Sequence, residues 1–257
     1  MTTRGLLFGN VAEAYERFRT GYPPEVAELI LAYASPPLVE AVEIGAGTGK
    51  ATRMIAGHEI RVTACEPDSE MARVLRASTA RLPVTIVQRT FEDFHPAHRF
   101  DLLYAAAAWH WTDPTTRWQH TAEIVRPDGT VAFFAAGRKL ADPALYAAVE
   151  QLWRTLIADE DAHAGPTSPE SGLHWPGNEL HDHPMFADVQ EHDIPRLLEV
   201  TADDFVGQLS TVSAYLQLPE PDRADLLRRI REALPETVQV DSAVTLHLAR
   251  RVRDPQR

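Results

Sequence analysis

The chain has 257 residues, 44% of them hydrophobic and 24% charged. Those proportions exclude a disordered, collagen-like or disulfide-scaffold chain, and the length suffices for a core without staples. Acidic side chains outnumber basic ones by 37 to 25, a net charge of −12, which argues against a nucleic-acid backbone as partner. The single cysteine, Cys65, excludes an internal disulfide and fits a reducing compartment.

The opening MTTRGLLFGN is too short an apolar run for a signal peptide, and no later run reaches the roughly 18 apolar residues of a membrane span. The expectation is a cytoplasmic chain, a monomer or homodimer, with no membrane contact. The predicted elements then follow in order. Leu38 to Ile44 (LVEAVEI) reads as a strand ending in a glycine loop, and Ala51, Met54 and Ile55 behind it repeat at helical spacing. Arg61 to Glu66 is a second strand. Asp68 is placed to cap a helix carrying Met71, Val74 and Leu75 on one face. Val84 to Val87 and Phe100 to Ala105 are strands three and four, a helix is expected from about Pro114, and Arg126 to Gly129 reads as a turn before a fifth strand, Thr130 to Ala135.

Strand–helix alternation of this kind implies right-handed crossovers and a parallel sheet covered on both faces. After residue 136 the pattern changes. A helix from about Pro143 to Ala158 leads into a stretch rich in Pro, Gly, His and acids, read as an insertion over the ligand edge of the sheet. A strand from Val189 to Ile194, helices near Ala202 to Leu209 and Pro221 to Leu234, and a strand from Ala243 to Leu248 complete the chain. The basic tail of Arg250, Arg251, Arg253 and Arg257 reads as a solvated end.

The strongest chemical signal is Glu43-Ile44-Gly45-Ala46-Gly47-Thr48-Gly49-Lys50, between a strand and a helix. Glycines let a backbone turn tightly and approach a ligand closely. A dinucleotide fingerprint needs its third glycine where Lys50 stands, which disfavours a nicotinamide-dependent dehydrogenase. Glu66, at the end of the second strand, is placed to accept the ribose hydroxyls of an adenosine ligand.

At these residues the chain resembles the class I S-adenosylmethionine-dependent methyltransferases, in particular the small-molecule group similar to the trans-aconitate methyltransferases. The resemblance runs through Ala41 to Gly49, through Cys65-Glu66-Pro67-Asp68 with Met71, through Arg89 to Asp93, through Phe100 to Trp111, through Val125 to Gly129, and through an amino-terminal pattern from Phe8 to Pro23. Thr90 and Ala107 depart from it, standing where an acid or serine and a glutamine are common, and Thr20 replaces a proline. The resemblance implies a Rossmann-like, doubly wound α/β fold, with a seven-stranded, mostly parallel sheet, an antiparallel C-terminal strand pair and a helical lid insertion. It implies one domain: an amino-terminal cap over residues 1–24, a cofactor-binding core over 25–136, a lid over 137–185, and the rest of the core over 186–257.

The same resemblance implies S-adenosyl-L-methionine as cofactor, S-adenosyl-L-homocysteine as product and a small-molecule acceptor. Gly45, Ala46, Gly47 and Gly49 would line the methionine half, with Glu43 fixing the loop, and Glu66 and Pro67 would flank the ribose near Met71. Thr90, Phe91 and Glu92 would lie by the adenine, and Ala105 would offer a carbonyl to the methionine amino group. Tyr15, Arg19 and Tyr22 would cap the cofactor. His110, just past the fourth strand, is the candidate general base. A carboxylate acceptor would call for pocket arginines, for which Arg19 and Arg138 are available. His181 and His183 with Glu191 do not form a closed metal-ligand set. A cofactor-binding member with a non-methylating or regulatory role is the competing reading.

Overall fold

Strict alternation along the central strands builds the middle of the molecule. Ala41 and Leu102 face one buried core while Val42 and Leu103 face the other, as the period-two pleat requires. The computed structural model describes residues 9–154, 156–157 and 171–253. The first half runs α1 (Ala12–Phe18), α2 (Pro24–Tyr33), β1 (Glu40–Ile44), α3 (Lys50–Ala56), β2 (Arg61–Cys65), α4 (Ser69–Ser78), β3 (Val84–Val87), β4 (Phe100–Ala106), α5 (Arg117–Ile124) and β5 (Val125–Ala136). The second half runs β6 (Lys139–Leu140), α6 (Pro143–Trp153), α7 (Gly177–Asp182), β7 (Phe186–Ile194), β8 (Leu197–Thr201), α8 (Ala202–Leu209), α9 (Ser213–Leu216), α10 (Glu220–Ala233), β9 (Thr237–Asp241) and β10 (Val244–Arg251).

Seven strands form the main sheet in the order β3-β2-β1-β4-β5-β10-β7. The first five pair in parallel, and β10 lies antiparallel between β5 and β7. This is the mostly parallel sheet with antiparallel carboxyl-terminal strands expected from the sequence. Strand order reverses between β1 and β4, so the crevice for a ligand opens beyond their carboxyl ends. α2 and α3 cover one face through Val26, Ile30 and Ile55, and α5 and α7 cover the other through Trp118, Ala122 and Leu180.

The sequence did not reveal a second, three-stranded antiparallel sheet, β6-β9-β8. It shares a separate core with α6, α8, α9 and α10, built on Trp153, Phe205, Tyr215, Leu226 and Ile230. The expected lid helix and the chain after residue 194 therefore pack together. Each strand is short and two of the three alternate with exposed residues, so their pairing, not their composition, identifies them.

Other expectations shift locally. The helix expected from Pro114 begins at Arg117, after a 3₁₀ turn at Trp109–Trp111. The expected turn at Arg126 to Gly129 lies inside β5, where β4 pairing jumps from Phe100↔Val125 to Leu102↔Thr130. Asp128 takes a left-handed φ of 61° there. Asp101 closes this end of the sheet, accepting from the backbone N–H groups of Val39 and Glu40 and from Arg126 Nε. Two arginines of the basic tail are not solvated ends: Arg250 stacks over Tyr33 and Arg251 is 2% exposed in β10, whereas Arg253 stays exposed and pairs with Asp128. β10 continues through Arg250 and Arg251 and carries their stems into the sheet. Arg257 lies outside the described residues. Among the described residues no helix is long and apolar enough to cross a membrane.

Candidate active site

β1 ends at Ile44 and the chain turns through three left-handed glycines, Gly45, Gly47 and Gly49, with φ of 69°, 57° and 92°. The N–H groups of Gly45 and Ala46 both donate to the Cys65 carbonyl, at 2.9 and 3.0 Å, which ties the loop to the end of β2. The three glycines answer to different constraints. A Cβ on Gly45 would lie 2.5 Å from the Cβ of Ala108, and one on Gly49 would lie 2.6 Å from Leu75 Cδ1. A Cβ on Gly47 would meet nothing within 4 Å, so this residue borders open space.

Two buried acids stand behind the loop. Glu66, 5% exposed, accepts from Gly47 N–H at 2.7 Å and from Asp68 N–H at 2.9 Å. Burial pushes its pKa up to about 7, against the pull of those two N–H donors. Glu43, fully buried, receives Thr52 Oγ1 at 2.5 Å and Tyr104 Oη at 3.0 Å, both on Oε2. Its Oε1 is buried with no hydrogen-bond partner. Burial raises this carboxyl to about 8, although both hydroxyl donors lower it. The pair Glu43 and Tyr104 are register partners across β1 and β4, which is why a phenol reaches the acid.

A cleft of about 60 Å³ lies between this loop and the amino-terminal segment. Tyr15, Arg19, Tyr22, Glu43, Ala46 and Gly47 line it, with Gly45 at its floor. The amino-terminal residues are held down from several sides. Lys50 Nζ donates to the Glu16 carbonyl at 2.7 Å, and Arg53 pairs with the Glu16 carboxylate at 2.9 Å. Arg73 pairs with Glu13 at 2.6 Å, and Arg19 donates to Thr211 Oγ1 at 2.8 Å. Tyr22 packs edge-on against Phe134, ring centroids 4.8 Å apart. Phe8, the first residue of the expected cap pattern, lies outside the described residues.

The remaining expected site residues fall elsewhere. Gly49 is buried behind the loop, and Met71 sits with Ala12 and Val74 under Tyr15, in a small core that seats α1. Pro67 and Thr90 border a second, open groove of about 680 Å³ with Gln88, Arg89, Asp93 and His95. Thr90 Oγ1 donates to Asp93 at 2.9 Å. Phe91 does not present its ring to that groove. It is 3% exposed and packs against Trp109 and His120, and its carbonyl bonds His120 Nε2. Glu92 Oε1 accepts from Asp113 N–H at 3.0 Å, since the tight bend after β3 turns it toward the 3₁₀ segment. Ala105 is 1% exposed within the sheet; Ala106 and Ala107, one and two residues on, line the cleft instead. Ala107 holds a left-handed φ of 52°. His110 is half-buried against Trp111, centroids 4.4 Å apart, and does not line the cleft, because the 3₁₀ turn carries it past the strand end.

The sequence reading missed Gln208, which reaches the cleft from α8, and left Arg138 unassigned although it lines the same cleft. Arg138 follows the fifth strand directly, a signal available in the sequence. No local pattern marks Gln208, because its place depends on how the second core docks. His174 and His247 both bond Glu191, at 2.8 Å each, so the acid near His181 and His183 is already engaged; His163 lies outside the described residues.

Residues 42–133 match the family described as a methyltransferase domain. Over that stretch, about a third of its length, the chain is similar to methyltransferase domains. An uncharacterized methyltransferase of Mycobacterium tuberculosis is 29% identical over 231 residues, 89% of this chain and 86% of the other. The trans-aconitate 2-methyltransferase of Deinococcus radiodurans is 27% identical over 126 residues, 47% of this chain and 46% of the other. A solved structure from Anaeromyxobacter dehalogenans, proposed to be a type II methyltransferase, superposes with a TM-score of 0.65 at 25% identity, covering 92% of this chain and all of its own. The methyltransferase match ends within β5, so Arg138 and Gln208 lie beyond it.

Proposed function

We propose that this methyltransferase transfers a methyl group from S-adenosyl-L-methionine to a small-molecule acceptor and releases S-adenosyl-L-homocysteine. The observation that carries the reading is Glu43 Oε1, a buried acceptor with no partner at the floor of a cleft faced by Gly47. An unpaired buried acceptor is costly, and an ammonium placed against it removes the cost. The methionine half of the cofactor carries such an ammonium. Gly47, which would admit a Cβ without contact, lets the backbone approach that half closely.

Glu66 is suited to the ribose. Each carboxylate oxygen has more than one acceptor direction, so it can take a hydroxyl while keeping the N–H of Gly47 or Asp68. Pro67, the residue after Glu66, borders an open groove with Thr90 that offers room for an adenine. Two acids and no phosphate cradle fit a cationic, phosphate-free ligand. When bound, the cofactor supplies an electrophilic methyl carbon: its bond to sulfur breaks as the bond to the acceptor atom forms, and a neutral thioether leaves.

The residues of the chain then align and exclude water rather than supply strong acid–base groups. Ligand clefts usually span about 300–1,000 Å³, several times the 60 Å³ between loop and cap. Residues 9–23 must therefore lift for entry and settle again over the cofactor, with Tyr15, Arg19 and Tyr22 as the closing face. His110 stands off the cleft, so a general base there requires a rearrangement of the 3₁₀ turn.

Calorimetry with S-adenosyl-L-homocysteine tests the reading, together with product analysis using methyl-labelled cofactor and a panel of small acceptors. Micromolar affinity is expected, and Glu66→Ala should lower it tenfold or more, from the loss of hydrogen bonds at about 1.5–3 kcal/mol each. A folded Glu66→Ala protein with wild-type affinity would remove the ribose assignment. Cofactor binding without any methylated product would favour the non-methylating reading.

A further inference from the structure

The cleft is lined by more than the glycine turn and the amino-terminal segment. Ala136, Gly137 and Arg138 line it where the chain leaves β5, and Gln208 lines it from α8. Arg19, the other arginine of the cleft, is engaged on Thr211, and elsewhere Arg53, Arg117 and Arg126 hold Glu16, Glu179 and Asp101. Arg138 is different. Its Nε is buried without a hydrogen-bond partner, and its guanidinium forms no hydrogen bond or ion pair among the described residues.

Gln208 repeats the pattern. It is 8% exposed, yet its side-chain amide makes no hydrogen bond among the described residues. A guanidinium is charged at every accessible pH and offers planar, paired donors that match a carboxylate. Leaving it half-buried and unpaired costs stability that a bound anion restores. The cleft is small, and one acid, Glu43, also lines it. A singly charged, planar anion suits this setting better than a doubly charged phosphate.

We infer that Arg138, assisted by the Gln208 amide, is the carboxylate receptor of this cleft. The inference rests on the reading that the cleft takes the cofactor and its acceptor. Two sources present that chemistry, the methionine carboxylate of the cofactor and a carboxylate on the acceptor. The two positions come from different cores: Arg138 follows the main sheet and Gln208 belongs to the second core. The receptor is therefore complete only when the two are docked.

The test is calorimetry on wild type, Arg138→Gln and Gln208→Ala. The ligands are S-adenosyl-L-homocysteine, its decarboxylated analogue, and, on protein saturated with the former, succinate and its neutral diamide. Arg138 makes no hydrogen bond or ion pair among the described residues, so Arg138→Gln should melt within a few degrees of wild type. If the cofactor supplies the carboxylate, Arg138→Gln weakens S-adenosyl-L-homocysteine about tenfold or more and leaves the decarboxylated analogue unchanged. If the acceptor supplies it, cofactor affinity is unchanged, saturated wild type binds succinate over the diamide, and Arg138→Gln abolishes that preference. Gln208→Ala should show the same pattern with a severalfold effect. The inference is overturned if Arg138→Gln binds S-adenosyl-L-homocysteine like wild type and no carboxylate binding depends on Arg138. Failure of wild type to bind S-adenosyl-L-homocysteine at all would instead sink the function proposed above.

Discussion

The main sheet and the second core meet at one cleft but reach it by different routes. On the main-sheet side, residues close in sequence build the site: Glu43 to Gly49 on one turn, and Glu66 at the end of the adjoining strand. On the other side, Gln208 arrives at the cleft, and Thr211 at Arg19, by the docking of a separate core far along the chain. The first side carries groups that any ligand of this shape needs. The second carries Gln208, the partner proposed above for Arg138 in holding a carboxylate of the cofactor or of the acceptor. A catalytic core can thus stay fixed while specificity is altered in a module that folds around its own hydrophobic residues.

Four experiments can break or sharpen this division. The largest expected effect is on the second core: Leu226→Ala removes a fully buried side chain and should cost about 2–5 kcal/mol of stability in denaturant. The folded fraction should keep its affinity for S-adenosyl-L-homocysteine to within a few fold. A large loss of affinity there would mean that the two sides are not separable. Gly47→Ala gives the converse. Its φ of 57° makes alanine unfavourable by about 1–2 kcal/mol, without a clash, while the added methyl should reduce cofactor affinity more than tenfold by calorimetry.

The third experiment concerns pH. Burial raises Glu43 to about 8 from its ordinary 4.5. A carboxyl raised in the folded state favours the protonated fold. Its stabilising contribution is complete below about pH 4.5 and is lost as pH rises toward 8. An ammonium ligand prefers the ionised acid, so binding should release a proton, and affinity should climb by up to tenfold per pH unit below about 8. Glu43→Gln should flatten both dependences. Parallel pH profiles for wild type and variant would show that the orphan oxygen does not face the ligand.

The smallest effect is expected at the latch. Glu16 is about a third exposed and pairs with Lys50 and Arg53, so Glu16→Ala should cost under about 1 kcal/mol. Amide exchange in residues 12–18 should nevertheless accelerate, and ligand should restore protection. Equal exchange in wild type and variant would remove Glu16 as a tether of the cap.

Much of the cofactor side was legible in the sequence because its determinants are local. A run such as EIGAGTG announces a strand, a sharp turn and a helix, and Asp68 does cap α4 by accepting from Glu70 and Met71 N–H. The alternation of strand and helix patterns pointed to the α/β class, and the resemblance implied the seven-stranded sheet. Orientation within the site was less legible. Phe91 and His110 have the right positions in sequence, but a 3₁₀ turn of three residues and the packing of Trp109 against Phe133 direct them away from the cleft.

What the sequence by itself determined is therefore the sheet, the glycine turn and the two acids behind it, since each depends on residues a few positions apart or on a repeating pattern. Only the tertiary structure decided that Glu43 keeps one oxygen unpaired, that the amino-terminal helix is tied to α3 and α8, and that Arg138 and Gln208 share a cleft. Those facts arise from packing between segments distant in the chain. A side chain's partner there is chosen by which surfaces bury each other, and no local periodicity records that choice.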